Sequence, residues 1–178
     1  MISVRPASPL VRALTGAALV LAGSGLMCLS ARIAVPMVPV PVTLQTLAIP
    51  ILVALLGREL GTLAVVAYLV EGFAGLPVFA IGSLATTAGY LIGFPIAAFV
   101  IGTLYHDGFF RGYFRRLIAI LIGTGLVLVS GTLWLALTFT HDLASAVALG
   151  LAPFLVGDLA KSVVAAAFPP RAFASPRR

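Results

Sequence analysis

The chain has 178 residues, of which 61% are hydrophobic and 9% charged, with a mean hydropathy of +1.18. A soluble domain is nearer roughly 45–50% apolar and 25% charged, so a water-soluble core is excluded, and at about 20 residues per crossing the length fits roughly six membrane helices. The net charge of +6 comes from basic residues scattered at segment ends, with no stripe or helix face that would suit nucleic acid.

Apolar stretches at about 11–30, 44–57, 60–73, 84–104, 117–139 and 143–168 predict an all-α integral membrane protein, a six-helix bundle. One transmembrane domain over 11–168 is expected, with a short segment 1–10 before it and a basic tail 169–178 after it, both cytoplasmic. The first stretch follows Arg5 and Arg12 and is longer than the apolar run of a secretion signal, so cleavage is not expected. It holds the lone Cys28, which excludes an internal disulfide and a paired-thiol metal site. Its small residues Ala13, Ala17, Ala18 and Ala22, with Gly16 and Gly23, let another helix approach closely, whether inside the bundle or from an external partner.

Between the first two stretches, Val35 to Val42 carries Pro36, Pro39 and Pro41, which fix φ and remove donors. An extended strap is predicted, either a plain connector or a cover over a cavity. The second and third stretches are short for a full crossing, and the break at Gly57-Arg58-Glu59 is tight; they are expected to form a tilted or partly re-entrant hairpin. In a six-helix layout Arg5, Arg12, Arg58, Arg111, Arg115, Arg116, Arg171, Arg177 and Arg178 fall on one side, and Arg32 alone falls on the other. The positive-inside rule then makes both termini cytoplasmic.

Asp158 and Lys161 stand three residues apart inside the last stretch, on one helix face. An ionisable group at membrane depth costs at least about 2.5–3.5 kcal/mol, so such groups face a bundle interior or cavity and find partners. Two readings stay open: a structural ion pair, with Lys161 snorkelling to the interface, or a ligand site in which the carboxylate takes N–H donors and the ammonium binds a carbonyl or carboxylate. Catalytic alternatives are poorly supplied. His106 and His141 lie in loops on opposite sides of the membrane, Gly23-Ser24-Gly25 has no histidine base nearby, and Gly157 to Ser162 has Ala160 where a phosphate loop needs glycine.

Taken in order, Val38-Pro39-Val40-Pro41-Val42-Thr43-Leu44-Gln45-Thr46-Leu47, then Leu55-Leu56-Gly57-Arg58-Glu59-Leu60-Gly61, Tyr68-Leu69, Gly75-Leu76-Pro77-Val78-Phe79-Ala80, Gly89-Tyr90-Leu91-Ile92-Gly93-Phe94 and Gly157-Asp158-Leu159-Ala160-Lys161 resemble the BioY family. These are the biotin-binding S components of energy-coupling-factor (ECF) transporters. The resemblance covers about residues 11–168 and implies a six-helix S-component fold with a pocket near the extracytoplasmic face, closed by the loop after the first helix. It implies that Asp158 and Lys161 contact biotin, that Gln45 and Tyr90 line the pocket, and that Phe79 packs on the bicyclic ring.

The implied function is biotin uptake across a bacterial cytoplasmic membrane, with no catalysed reaction and no cofactor. The implied partner is a module of two ATPases and a transmembrane coupling protein, docked on the alanine face of the first helix, or else further copies of the chain. Two features depart from the family pattern: Thr86-Thr87-Ala88 stands where many members have Gly-Pro-Thr, and the chain contains no Asn. Ser83, Thr86 or Thr87 are the candidates to supply the missing polar contact. The alternatives are an S component for another vitamin and a membrane assembly subunit in which Asp158 and Lys161 only pair with each other.

Overall fold

A computed structural model describes residues 8–80, 82, 84–106 and 112–170. Arg5, Ser83, Arg111, Arg171, Arg177, Arg178 and the His106 side chain lie outside what is described. Among the described residues the helices are α1 (Pro9–Arg32), α2 (Gln45–Phe73), α3 (Leu84–His106), α4 (Tyr113–Leu135), α5 (Leu143–Gly150) and α6 (Ala152–Ala166). Four of them are long and apolar enough to cross a membrane, and the bent pair α5 and α6 makes a fifth candidate. Their faces away from the bundle are apolar too, with Leu14, Val70, Phe114 and Val156 among the exposed side chains, as lipid-facing surfaces require.

The long α2 is not a straight rod. Gly57 breaks it with φ 81° and ψ 175°, a backbone state that a side chain would strain. Gln45 Nε2 donates to the Tyr68 hydroxyl at 2.9 Å across a separation of 23 residues, which on a straight helix would span roughly 34 Å. A Cβ on Gly61 would lie 3.0 Å from the Val53 Cα. The chain therefore doubles back at Gly57, and α2 consists of two antiparallel arms.

The last apolar stretch differs from the single helix expected over 143–168. It is two helices, meeting at an angle of 41°. Pro153 lies in the first turn of α6, where its ring and missing N–H rule out continuation from α5. The Tyr90 hydroxyl fastens this corner by donating to the Gly150 carbonyl at 2.5 Å. Asp142 caps α5, accepting from Ser145 N at 2.7 Å. Its carboxyl is held below the usual carboxylate range, first by the Ser145 side chain and then by that backbone N–H.

The strap is extended as expected, but it also carries a short antiparallel ladder. β1 (Ala34–Val35) pairs with β2 (Val42–Thr43), Ala34 opposite Thr43 and Val35 opposite Val42. Its prolines sit between the two strands or just before β2, where no ladder donor is needed. The Thr86 hydroxyl on α3 donates to the Pro39 carbonyl at 2.9 Å, and the Arg32 guanidinium donates to the Pro77 carbonyl. Thr86 thus latches the strap, and its hydroxyl is engaged there. Replacing Thr86 by Val should leave global melting unchanged but speed hydrogen exchange about fivefold where the strap joins α2, at the Leu44 amide held by the Ser30 and Ile33 carbonyls, the equivalent of one hydrogen bond of ~1 kcal/mol.

The charged ends sort by side. A Cβ on Gly102, near the end of α3, would lie 2.7 Å from Arg58; Arg116, at the start of α4, donates to the Ala166 carbonyl at 2.9 Å. Gly16, in the first half of α1, faces Leu60 just past the α2 turn. Arg32, the strap and the α2–α3 connection occupy the opposite end. In α1 the two kinds of small residue separate: a Cβ on Gly23 would lie 2.6 Å from that of Ala64, whereas Ala13, Ala17, Ala18 and Ala22 are exposed.

Candidate functional site

A cavity of about 180 Å³ lies beneath the strap, lined by side chains of every helix from α2 to α6 except α5. It is concave and mostly apolar with a few convergent polar groups, the character of a small-molecule site. Val40 and Pro41 of the strap form its lid, and Phe79, Phe94, Phe154, Leu91, Val127 and Leu128 supply apolar wall. All five residues expected at the site, Gln45, Phe79, Tyr90, Asp158 and Lys161, line this cavity. Among the described residues, Asp158 and Lys161 are the charged groups in its wall.

The charge pair is tightly made. Lys161 Nζ lies 2.6 Å from Asp158 Oδ1, and both side chains are nearly buried, at 12% and 4% exposure. The ammonium also donates to the Thr46 hydroxyl and to the Thr43 carbonyl, each at 2.9 Å. Thr46 in turn donates to Asp158 Oδ1 at 2.7 Å. Among the described residues Asp158 Oδ2 finds no hydrogen-bond partner although it is buried. A buried acceptor without a donor costs about 1–3 kcal/mol, more for a charged group, and an N–H brought into the cavity would offset that cost.

Gln45 and Tyr90 contribute differently from a pair of free polar contacts. Gln45 is held between the Tyr68 hydroxyl at 2.9 Å and the Thr43 hydroxyl, which donates to Oε1 at 3.1 Å. The Tyr90 hydroxyl is engaged by Gly150, so its ring faces the cavity, stacked on Phe154 at 5.8 Å between centroids. Phe79 is fixed by edge contacts of 5.4 Å with Tyr68 and Phe73. It is one wall of an aromatic slot.

Of the candidates for the missing polar contact, Thr87 lines the cavity and Thr86 holds the strap. Thr46 and the Thr43 carbonyl were missed by sequence reasoning, as was Phe154. A hydroxyl within an apolar run carries no energetic signal of its own, although Thr46 stands beside Gln45 in the motif that closes the strap. Ser24 is in the interior of α1 and donates to Glu71 at 2.5 Å.

The chain matches the BioY family over residues 5–177. It is 38% identical over 150 residues to a protein of Thermotoga maritima named biotin transporter BioY, covering 80% of this chain and 86% of that one. It is 34% identical over 155 residues to biotin transporter BioY2 of Lactococcus lactis, covering 84% and 85%. Among solved structures it resembles the S-component for biotin from an ECF-type ABC transporter, with a TM-score of 0.78, 25% identity, and coverage of 90% of this chain and 92% of that one. With the family match spanning nearly its full length and the fold shared, the chain belongs to the BioY family.

Proposed function

We propose that the protein is a biotin-binding S component that takes up biotin across a cell membrane and catalyses no reaction. The observation that carries this reading is the polar end of the cavity. Asp158 Oδ2 is a buried acceptor in want of an N–H donor, in a slot whose wall is mostly aromatic and aliphatic, with Gln45, Thr46, Thr87 and Lys161 among its polar groups. Biotin's ureido ring supplies N–H donors on an apolar bicyclic body, and the relatives named above are biotin transporters.

Six crossings follow if each arm of α2 spans once and α5 with α6 spans once. The strap end is then extracytoplasmic, and the end carrying Arg58, Arg115 and Arg116 is cytoplasmic, together with both termini. The outward alanine face of α1 suits a coupling partner: the two ATPases and transmembrane protein of an ECF module, or other copies of this chain. Purified protein should bind labelled biotin at micromolar concentration or below. No binding at that concentration overturns the assignment; stronger binding of another vitamin would support the alternative S component.

A further inference from the structure

An ammonium has three hydrogens to donate, and around Lys161 the protein supplies three acceptors: Asp158 Oδ1, the Thr46 hydroxyl and the Thr43 carbonyl. Lys161 therefore has no donor left for a ligand carbonyl or carboxylate while this arrangement stands. The Thr46 hydroxyl is its hub, accepting from Lys161 and donating its single hydrogen to Oδ1. Oδ1 thereby accepts two charge-assisted bonds and Oδ2 none. The same hydroxyl connects the charge pair to the first turn of α2, immediately after the strap's second strand.

We propose that Thr46 is a positioning residue that sets the selectivity of the site. By engaging Oδ1 and the ammonium together, its hydroxyl leaves Asp158 Oδ2 as the acceptor for a neutral ring N–H. It also leaves the cavity, among the described residues, without a free cation to read a ligand anion. This rests on the biotin reading above and deepens it: the ring is recognised by its N–H edge, and the side-chain carboxylate is not recognised at this end. Thr46→Val keeps the shape and removes the hydroxyl; Thr46→Ser keeps the hydroxyl.

The test pairs these variants with two ligands, biotin and biotin methylated on a ring nitrogen, each nitrogen in turn, measured by equilibrium binding to purified full-length protein. Wild type should prefer biotin over at least one methylated form by tenfold or more. Thr46→Val should weaken biotin about 10- to 100-fold, as loss of a bond to a charged group does, and should bring the two ligands within about threefold of each other. Thr46→Ser should restore both the affinity and the preference. A role confined to packing would weaken both ligands equally and leave their ratio unchanged.

An unchanged ratio in Thr46→Val overturns the proposal, as does Thr46→Val binding biotin like wild type, or a Thr46→Ser that fails to restore the preference. If Thr46→Val does not fold, Thr46→Ala is read in the same way. Failure of wild type to bind biotin at all defeats the biotin assignment itself, an outcome distinct from binding without dependence on Thr46.

Discussion

Asp158→Asn is expected to weaken biotin binding by about 100-fold or more, the ~3 kcal/mol scale on which one half of a buried charge pair is removed. The amide keeps an oxygen near Lys161 but replaces an acceptor by an N–H₂ group, so a ligand N–H meets a donor. It also leaves the ammonium, 12% exposed, without a counter-ion, and melting in detergent should fall. Loss of folding is separated from loss of the site by the neutral double variant Asp158→Asn with Lys161→Met. With no buried charge left over, that protein should melt close to wild type and still bind no biotin. Binding of biotin by Asp158→Asn at wild-type affinity would remove Asp158 from the site.

The second large effect concerns the seam between α3 and α4. Gly89 and Gly93, four residues apart, present one bare face of α3 to Val127, Ser130 and Trp134. A Cβ at Gly89 would sit 2.1 Å from that of Trp134 and 2.8 Å from the Ser130 carbonyl; at Gly93 it would sit 2.9 Å from the Val127 Cα. The neighbours here include backbone, which cannot swing aside, so small residues at this spacing are what allow the close approach. Gly89→Val and Gly93→Val should each cost about 3 kcal/mol or more, at or above the upper end for overpacking. Gly25→Ala is the control, since its Cβ would meet nothing within 4 Å; it should leave melting unchanged or raise it slightly. Equal melting temperatures for Gly93→Val and Gly25→Ala would show that the seam is not as tight as described. Because Tyr90, Leu91 and Phe94 on the same helix line the cavity, opening the seam should also weaken ligand binding.

Much of this was legible from the residues, for unequal physical reasons. Asp158 and Lys161 stand out because a charge in lipid is costly whatever the fold around it. The strap was readable because proline fixes φ irrespective of context. The turn at Gly57 was readable because a glycine beside two charges interrupts an apolar run. Gln45, Tyr90 and Phe79 came only through family motifs, since a lone amide or aromatic in an apolar stretch carries no comparable cost. Thr46 was overlooked for that same reason. The break between α5 and α6 was hidden because hydropathy measures how apolar a stretch is and is blind to its direction, although Gly150 and Pro153 were in plain view. Reading Lys161 as a free donor placed the side chain at the site but not its partners, which include a backbone carbonyl from the strap. Likewise Thr86 stands where a ligand contact is expected, and only the fold brings its hydroxyl to the Pro39 carbonyl.

The doubled-back α2 also bears on the surrounding lipid. The arm from Gln45 to Leu56 rises only about 18 Å, and the arm from Arg58 to Phe73 about 24 Å, against a hydrocarbon layer of about 30 Å. If each arm spans once, as proposed above, the acyl chains on this flank must compress to meet the protein, or the Arg58 tip must draw polar headgroups inward, at a cost of a fraction of a kcal/mol per Å of mismatch. By contrast α4, with its π-helical extension to Thr140, is long enough to need neither. With both arms spanning as proposed, this flank should fit a thin membrane better than a thick one, so that acyl-chain length becomes a load on the doubled-back helix.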